Sequence, residues 1–408
     1  MTTTYSFRQI WHIAYPVLLT LLIQNLIQVI DTAFLGHVGE VELGASAIAG
    51  IYYIAVFQIA FGFSTGSQIL IGRRNGEACY NKIGEIVVGG AAFLWLMAVV
   101  IFLLTRTFSG AILSRALVSE NVLRASLEYL DVRIWGLFFS TINVMFRAFF
   151  VGILRTKVLT LNAVLMAVAN VFFDYALIFG NCGFPAMGIA GAGLASVIAE
   201  AGSVLFFILY TLKTVDLKKY GFTGRIRKSL RVVKNILGVS VSLMIQYFLS
   251  LSTWFVFFLA IERMGETNLA ASNIIRSFYM IIGIPVFALS ATANTLVSNS
   301  IGSGKQSEVL SLIWKIVRLA LAISLGFVLL LGIFPEMALR IYTSDAMLIR
   351  MSVPSLYVIL FVLLVLSVGN IFFQSVSGTG NTRPALLIEI ITLIAYSLWV
   401  WLMAIHWQ

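Results

Sequence analysis

KTVDLKKYGFTGRIRKSLRVVK, residues 213–234, packs eight Lys/Arg and one Asp into a chain that is otherwise sparse in charge. On both sides of it the sequence is a series of apolar runs, each long enough for a membrane-spanning helix of about 20 residues. Six runs precede it, over 10–35, 43–70, 83–105, 126–153, 157–179 and 188–211. Five follow, over 235–261, 268–297, 309–333, 350–377 and 384–406. The reading is an all-α polytopic membrane protein with an N-terminal lobe at 1–212, a basic cytoplasmic linker at 213–234 and a C-terminal lobe at 235–408.

Composition agrees with that reading. Of 408 residues, 60% are hydrophobic and 11% charged, against about 45–50% and about 25% in soluble domains. A single-span anchor and a monotopic enzyme do not use eleven such runs. An outer-membrane barrel would alternate apolar and polar residues over segments of about 10. The net charge of +10 would suggest nucleic acid in a soluble chain. Here the basic residues sort by side. With a cytoplasmic N-terminus, 17 Lys/Arg fall on inner connections and 6 on outer ones (Arg106, Arg115, Arg124, Arg263, Arg340 and Arg350), as the positive-inside rule expects. Residues 1–12 are short and polar, and the run after them reads as a retained first span rather than a signal peptide. The expected location is a prokaryotic inner membrane, with no nucleic-acid partner.

Cys79 and Cys182 fall on connections of opposite sides, which argues against a disulfide or a thiolate metal site. His12, His37 and His406 are scattered at span ends. No HExxH, GxSxG, P-loop or Rossmann pattern occurs. The expectation is therefore a protein that is not an enzyme, has no cofactor and lacks intrinsic ATP drive, so that ion gradients supply the energy.

Sliding the chain on itself by 226 residues aligns Gly39-Glu40 with Gly265-Glu266, Leu43 with Leu269 and Ala45-Ser46 with Ala271-Ser272. The same shift pairs Gly152 with Gly378 and Thr156 with Thr382. Between these points the register reads as slipped by about four, so that Ile71-Gly72 meets Ile301-Gly302. Six spans per repeat is an even number, so both halves enter the membrane the same way, related by an axis along its normal with a cavity between them. Residue 408 pairs with Cys182, ahead of the sixth run. The expectation is thus eleven spans of a twelve-span pattern, with the partner of the sixth missing.

Ionisable residues inside spans carry the functional information, because hydrocarbon penalises each of them. Asp31 lies five residues before Gly36, and Asp174 six before Gly180, which puts both carboxylates at nearly one depth near helix C-termini. There the helix dipole disfavours an anion. Asn170 and Asp174, spaced i, i+4, share a face; Gln24, Gln28 and Asp31 form a second stripe. A pair placed in this way needs protons or a cation, the alternative being that the two residues cap or bridge helices. Ser196 follows the close-packing GIAGAG entry of the sixth run. Pro16 breaks a backbone hydrogen bond in the first, and Gly62 and Gly66 form a GxxxG suited to helix packing. Glu128, Asp131 and Arg133 read as interfacial or paired. Arg147, Glu200, Arg276 and Glu389 lie deeper, lining a cavity or pairing with one another.

PVLLTLLIQNLIQVIDTAFLGHVGEVELGASAIAG (16–50) resembles the first two spans of the multidrug and toxic compound extrusion family. LIGRRNGE (70–77), ANVFFDYALIF (169–179), GIAGAGLAS (188–196), LAASNI (269–274) and SGTGNTRPA (377–385) extend the likeness over essentially the whole chain. The resemblance implies a two-lobed, twelve-helix antiporter that exports amphipathic, often cationic, drugs in exchange for H+ or Na+ by alternating access. It further implies a monomer whose partners are small-molecule drugs and membrane lipid. Some branches use an acid in span 7 or span 10, but the matching positions here are Ser250 and Leu366. The branch typified by DNA-damage-inducible protein F matches better, and it implies ion coupling at Asp31, Asn170, Asp174 and Ser196. There the first span bends at the position of Pro16. Gln24, Asn25, Gln28, Arg147 and Arg276 are the expected substrate-cavity residues. Sodium, if used, would sit at Asp31, Asn170 and Asp174; no other metal is expected. The rival readings are a flippase for lipid-linked oligosaccharide or cell-wall precursor, which would favour a strongly cationic cavity, and a non-transporting scaffold.

Overall fold

The computed structural model describes residues 5–402 except 118, 223–225, 263–265, 343 and 344; within helices it does not describe the side chains of 116, 226–230, 254–262, 266–270 and 273. Arg263, Gly265 and His406, used in the readings above, lie outside the described residues. Every regular element among the described residues is helical, as hydrocarbon requires of a chain that must satisfy its own backbone. In order they are α1 (Phe7–Val38), α2 (Glu40–Gly76), α3 (Ile83–Ala116), α4 (Glu120–Arg133), α5 (Gly136–Gly152), α6 (Lys157–Phe179) and α7 (Gly188–Thr214). Then come α8 (Ile226–Glu262), α9 (Glu266–Gly302), α10 (Val309–Ile333), the short α11 (Pro335–Leu339), α12 (Ala346–Gly378) and α13 (Thr382–Trp401). Among the described residues ten helices are long and apolar enough to span a membrane, and α4 with α5 makes an eleventh if the bent pair is one broken span.

That break corrects the sequence reading, which took 126–153 as one continuous run. α4 and α5 meet at 54°. Across the join the backbone bonds tighten to the i, i+3 pattern, with the Trp135, Leu137 and Phe138 N–H groups donating to the carbonyls of Val132, Ile134 and Trp135. Arg133 turns out of the helix here to meet Glu200 on α7. Gly136 leaves room for the pair, because a Cβ at that position would lie 2.2 Å from Arg133 Nη1 and 2.4 Å from Glu200 Oε2 and would displace those side-chain ends.

Two packed units form. One comprises Leu19–Met244, the other Met1–Leu18 with Ile245–Gln408. These bounds differ from a division at 213–234. α8 already begins at Ile226 inside the basic segment, and its Ser240–Met244 stretch packs on α2. A Cβ on Gly62 would lie 2.6 Å from Met244 Cα, and one on Gly66 would lie 2.9 Å from Ser240 Cα. The Ser240 hydroxyl also donates to the Phe63 carbonyl at 3.1 Å. The GxxxG thus brings two backbones together. In the other unit Lys315 Nζ donates to the Tyr5 carbonyl at 3.1 Å, which ties in the start of α1. There α9, α10 and α12 enclose an apolar core of Ile275, Phe278, Ile282, Leu356, Leu360 and Leu363.

The 226-residue offset holds at the level of helix ends. α2 and α9 run Glu40–Gly76 and Glu266–Gly302, while α3 and α10 start at Ile83 and Val309. The single 3₁₀ turns before them span Tyr80–Lys82 and Gln306–Glu308. α4 begins and α5 ends at the counterparts of the two ends of α12. Left-handed residues recur as well: Ala78 and Leu154 (φ 56° and 61°) match Gly304 and Gly380 (φ 76° and 84°). The four-residue slip read from Ile71-Gly72 is therefore absent; Ile71 pairs with Val297 in an unbroken register.

Two outcomes follow. Gly62→Val forces apart backbones already in contact, so a loss of roughly 1–3 kcal/mol is expected as a lower melting temperature in detergent. Gly110→Val, where a Cβ meets nothing within 4 Å, should cost far less. Exposed Cys182 and partly buried Cys79 are separated by three spans (α3, α4 with α5, and α6). A membrane-impermeant maleimide applied to intact cells should label Cys182 and spare Cys79.

Candidate cation-coupling site

The site is assembled by a short run of contacts in the Leu19–Met244 unit. Leu35 of α1 packs with Ile178 of α6 and Ile189 of α7 in one buried cluster. One turn before Leu35 is Asp31, and one turn before Ile178 is Asp174, so this apolar contact brings the two carboxyls face to face. Asn170 is one further turn back on α6. At its other end α6 stops at Gly180, in the left-handed conformation with φ 75°, and the Met187 N–H closes back on the Leu177 carbonyl at 2.8 Å. Gly191 then lets α7 press against that carbonyl, since a Cβ there would sit 2.6 Å from Leu177 O.

Asp174 is fully buried, Asn170 is 2% exposed and Asp31 is half-buried. The hydrogen-bond network assigns the Asn170 amide with its nitrogen toward the carboxyls, donating to Asp31 Oδ1 at 2.8 Å and to Asp174 Oδ2 at 3.3 Å. The shared amide holds the two carboxyls side by side. Asp174 Oδ1 is buried with no donor among the described residues. Two ionised carboxylates sharing one amide leave buried charge uncompensated. A shared proton or a monovalent cation removes that penalty. No three His, Cys, Asp or Glu side chains converge among the described residues, so the donor set does not resemble a divalent-metal site.

Beside the dyad, α4 packs Tyr129 against the Leu35–Ile178–Ile189 cluster and carries Arg133 one turn further on. Arg133 Nη2 and Nη1 donate to Glu200 Oε1 and Oε2 at 2.6 and 3.1 Å. Its guanidinium lies over the Tyr53 ring, 3.8 Å from the centroid, while the Tyr53 hydroxyl bonds Ser140 Oγ at 2.9 Å. Asn143 Nδ2 donates to the Glu200 carbonyl at 3.1 Å. Ser203 Oγ lies 2.9 Å from the side-chain oxygens of both Asn143 and Asn162. Arg133 and Glu200 are the residues the sequence reading missed in this role. Both read as charged groups able to pair, but Arg133 and Glu200 lie 67 residues apart and nothing in the spacing joins them.

The other expected residues are placed as follows. Ser196 is half-buried on α7 and makes no hydrogen bond to the Asp31–Asn170–Asp174 trio. Gln24 and Gln28 are exposed on α1, which at membrane depth demands a watery space rather than lipid. Asn25 donates to the Leu21 carbonyl at 3.0 Å, and Pro16 is buried within α1. Arg147 is half-buried over Phe61, 5.0 Å from the ring centroid, and Arg276 is exposed on α9. Asp131 pairs at the surface with Arg106. Glu389 of α13 accepts a hydrogen bond from Ser250 of α8.

A duplicated set of spanning helices that buries a carboxylate dyad defines a multi-pass membrane protein. A family model described as MatE matches residues 16–176 and 242–400, and the chain belongs to the MatE family. The second match starts 226 residues after the first, at the offset of the repeat. Among curated relatives, the probable multidrug resistance protein NorM of Thermotoga maritima is 26% identical over 391 residues, covering 95% of this chain and 83% of the relative. The outward-facing conformation of a multidrug resistance MATE family transporter of the MOP superfamily superposes with a TM-score of 0.88 at 16% identity, over 99% of this chain and 91% of that one. A MOP superfamily transporter from Pyrococcus furiosus gives 0.83 at 17% identity, over 96% and 88%. It is described as having a binding pocket of reverse polarity that suggests a different function. At such identities the likeness to the solved structures establishes the fold.

Arg133→Ala leaves Glu200 buried without its counter-charge and is expected to cost about 3–5 kcal/mol. Arg106→Ala, which removes only the exposed pair, should stay within about 1 kcal/mol. Thermal or denaturant unfolding of the two purified variants checks the contrast.

Proposed function

We propose that this protein is a cation-coupled exporter of amphipathic, often cationic, compounds, working by alternating access in a prokaryotic inner membrane with its N-terminus in the cytoplasm. The observation that carries the reading is the Asp31–Asn170–Asp174 cluster, two carboxyls at one depth with a buried acceptor lacking a donor. Loading that cluster with H+ or Na+ removes its charge penalty. α1, which holds Asp31, bends at Pro16 in response and closes the chamber of the Leu19–Met244 unit, where Gln24 and Gln28 offer amides to the exported compound. Release of the compound outward and of the cation inward completes the exchange. Coupling requires only that the two states differ in affinity for ion and for compound.

Asn170 is suited to either ion. With its nitrogen toward the carboxyls it donates to both and accompanies a shared proton. Rotated by half a turn, it adds an oxygen to the two carboxylate oxygens, a set fitted to a monovalent cation. A pyrophosphate-lipid flippase is less well supported. Its cargo calls for a strongly cationic cavity, and Arg147, a deep arginine of the Leu19–Met244 unit, stands over Phe61.

The test is efflux of a fluorescent amphipathic cation from proteoliposomes under an imposed H+ or Na+ gradient. Asp31→Asn should reduce the initial rate at least tenfold under whichever gradient drives the wild type. Asp131→Asn, at an exposed surface pair, should match the wild type. Undiminished transport by Asp31→Asn would refute the coupling role.

A further inference from the structure

We propose that Glu200 is a positioning residue for the coupling site: by holding Arg133 it keeps that guanidinium from becoming the permanent counter-ion of Asp31 and Asp174. The inference rests on the cation-coupling reading above, and it accounts for a buried ion pair which that reading leaves without a task.

The groups around the dyad come from five helices: Tyr53 of α2, Tyr129 and Arg133 of α4, Asp31 of α1, Asp174 of α6 and Glu200 of α7. With every acid ionised they carry three negative charges and one positive. Tyr129 packs against the Leu35–Ile178–Ile189 cluster, and Arg133 follows it by one turn on α4 as Asp31 and Asp174 stand one turn from Leu35 and Ile178, so the guanidinium is carried at the level of the dyad. A guanidinium keeps its charge at any accessible pH and offers five N–H donors. If it were free to turn, it would neutralise the dyad from within, and no ion from solution would be needed.

The geometry prevents this from three directions. Glu200 takes Nη1 and Nη2 in a two-pronged contact at 3.1 and 2.6 Å. Tyr53 covers one face of the guanidinium at 3.8 Å. The absence of a Cβ at Gly136 leaves just the room the forked pair occupies. Glu200 is in turn held through its backbone carbonyl by Asn143. Arg133 is therefore satisfied where it stands, and the dyad is left to recruit H+ or Na+.

Removing the charge of Glu200 should release Arg133 toward the carboxylates, where it competes with the coupling ion. Glu200→Gln is expected to lower the affinity of the dyad for protons at least tenfold. The readout is the carboxyl stretch of the buried acids in infrared spectra of purified protein, followed over a pH series, with Na+ titration as a parallel arm. The double variant Arg133→Gln/Glu200→Gln removes competitor and holder together and should return the affinity to within about threefold of the wild type. If Glu200→Gln does not fold, Glu200→Asp, whose carboxylate reaches one methylene less far, should show a smaller loss in the same direction.

Unchanged affinity in the single variant, or a double variant at least as impaired as the single one, overturns the proposal; the second result would mean that the pair only supports the fold. A wild-type protein in which neither H+ nor Na+ perturbs a carboxyl band that disappears in Asp31→Asn would instead overturn the coupling reading itself. The two failures are therefore distinguishable.

Discussion

Two carboxyl groups face each other inside membrane-spanning helices with one amide between them, and the rest of the site depends on how their charge is met. Water is not available in hydrocarbon to stabilise an ionised pair. Asn170 supplies two hydrogen bonds, yet Asp174 Oδ1 has no donor among the described residues. A structural pair could have been replaced by apolar side chains of similar volume with no loss of stability. Its presence at this depth is best understood through the ion it recruits. The apolar contacts of Leu35, Ile178 and Ile189, the left-handed stop at Gly180 and the close approach at Gly191 all serve to set the two acids opposite each other.

The scaffold is duplicated, whereas the chemistry is not. Helix ends, 3₁₀ turns and left-handed residues recur at an offset of 226, but the counterparts of Asp31, Asn170 and Asp174 are Phe257, Tyr396 and Val400. Divergence is visible even in the backbone. Gly380 takes its left-handed conformation without strain, while Leu154 holds the equivalent one against the preference of a branched side chain. The break between α4 and α5 is another such departure, because α12 runs unbroken over the same register. It follows directly on Arg133, whose guanidinium reaches Glu200.

Much of this was legible in the sequence. Twenty-residue apolar runs identify spanning helices because the bilayer leaves few alternatives. Counting back from Gly36 and Gly180 placed Asp31 and Asp174 at one depth before any contact was known. Gly62 and Gly66 were readable as packing residues, and Met244 and Ser240 are what they pack against. The break at 134–135 was hidden because IWGLFF continues the apolar run across it. Arg133 reads as interfacial or paired, and it is paired; the partner, Glu200, was not legible because it is 67 residues away and spacing along one helix carries no trace of it. The four-residue slip came from matching short Ile-Gly pairs, which recur by chance more readily than helix ends do. Ser196 entered by family likeness alone, and the structure gives it no hydrogen bond to the cluster.

The central claim is that the exported compound and the coupling cation compete through the Asp31–Asp174 dyad. The most direct measurement is proton release from weakly buffered purified protein when a cationic substrate is added, followed with a pH indicator and repeated with Na+ present. Release of protons on substrate addition, suppressed when Na+ is already bound and absent in Asp174→Asn, is the predicted result. Saturating substrate binding that displaces neither protons nor Na+ would contradict the account.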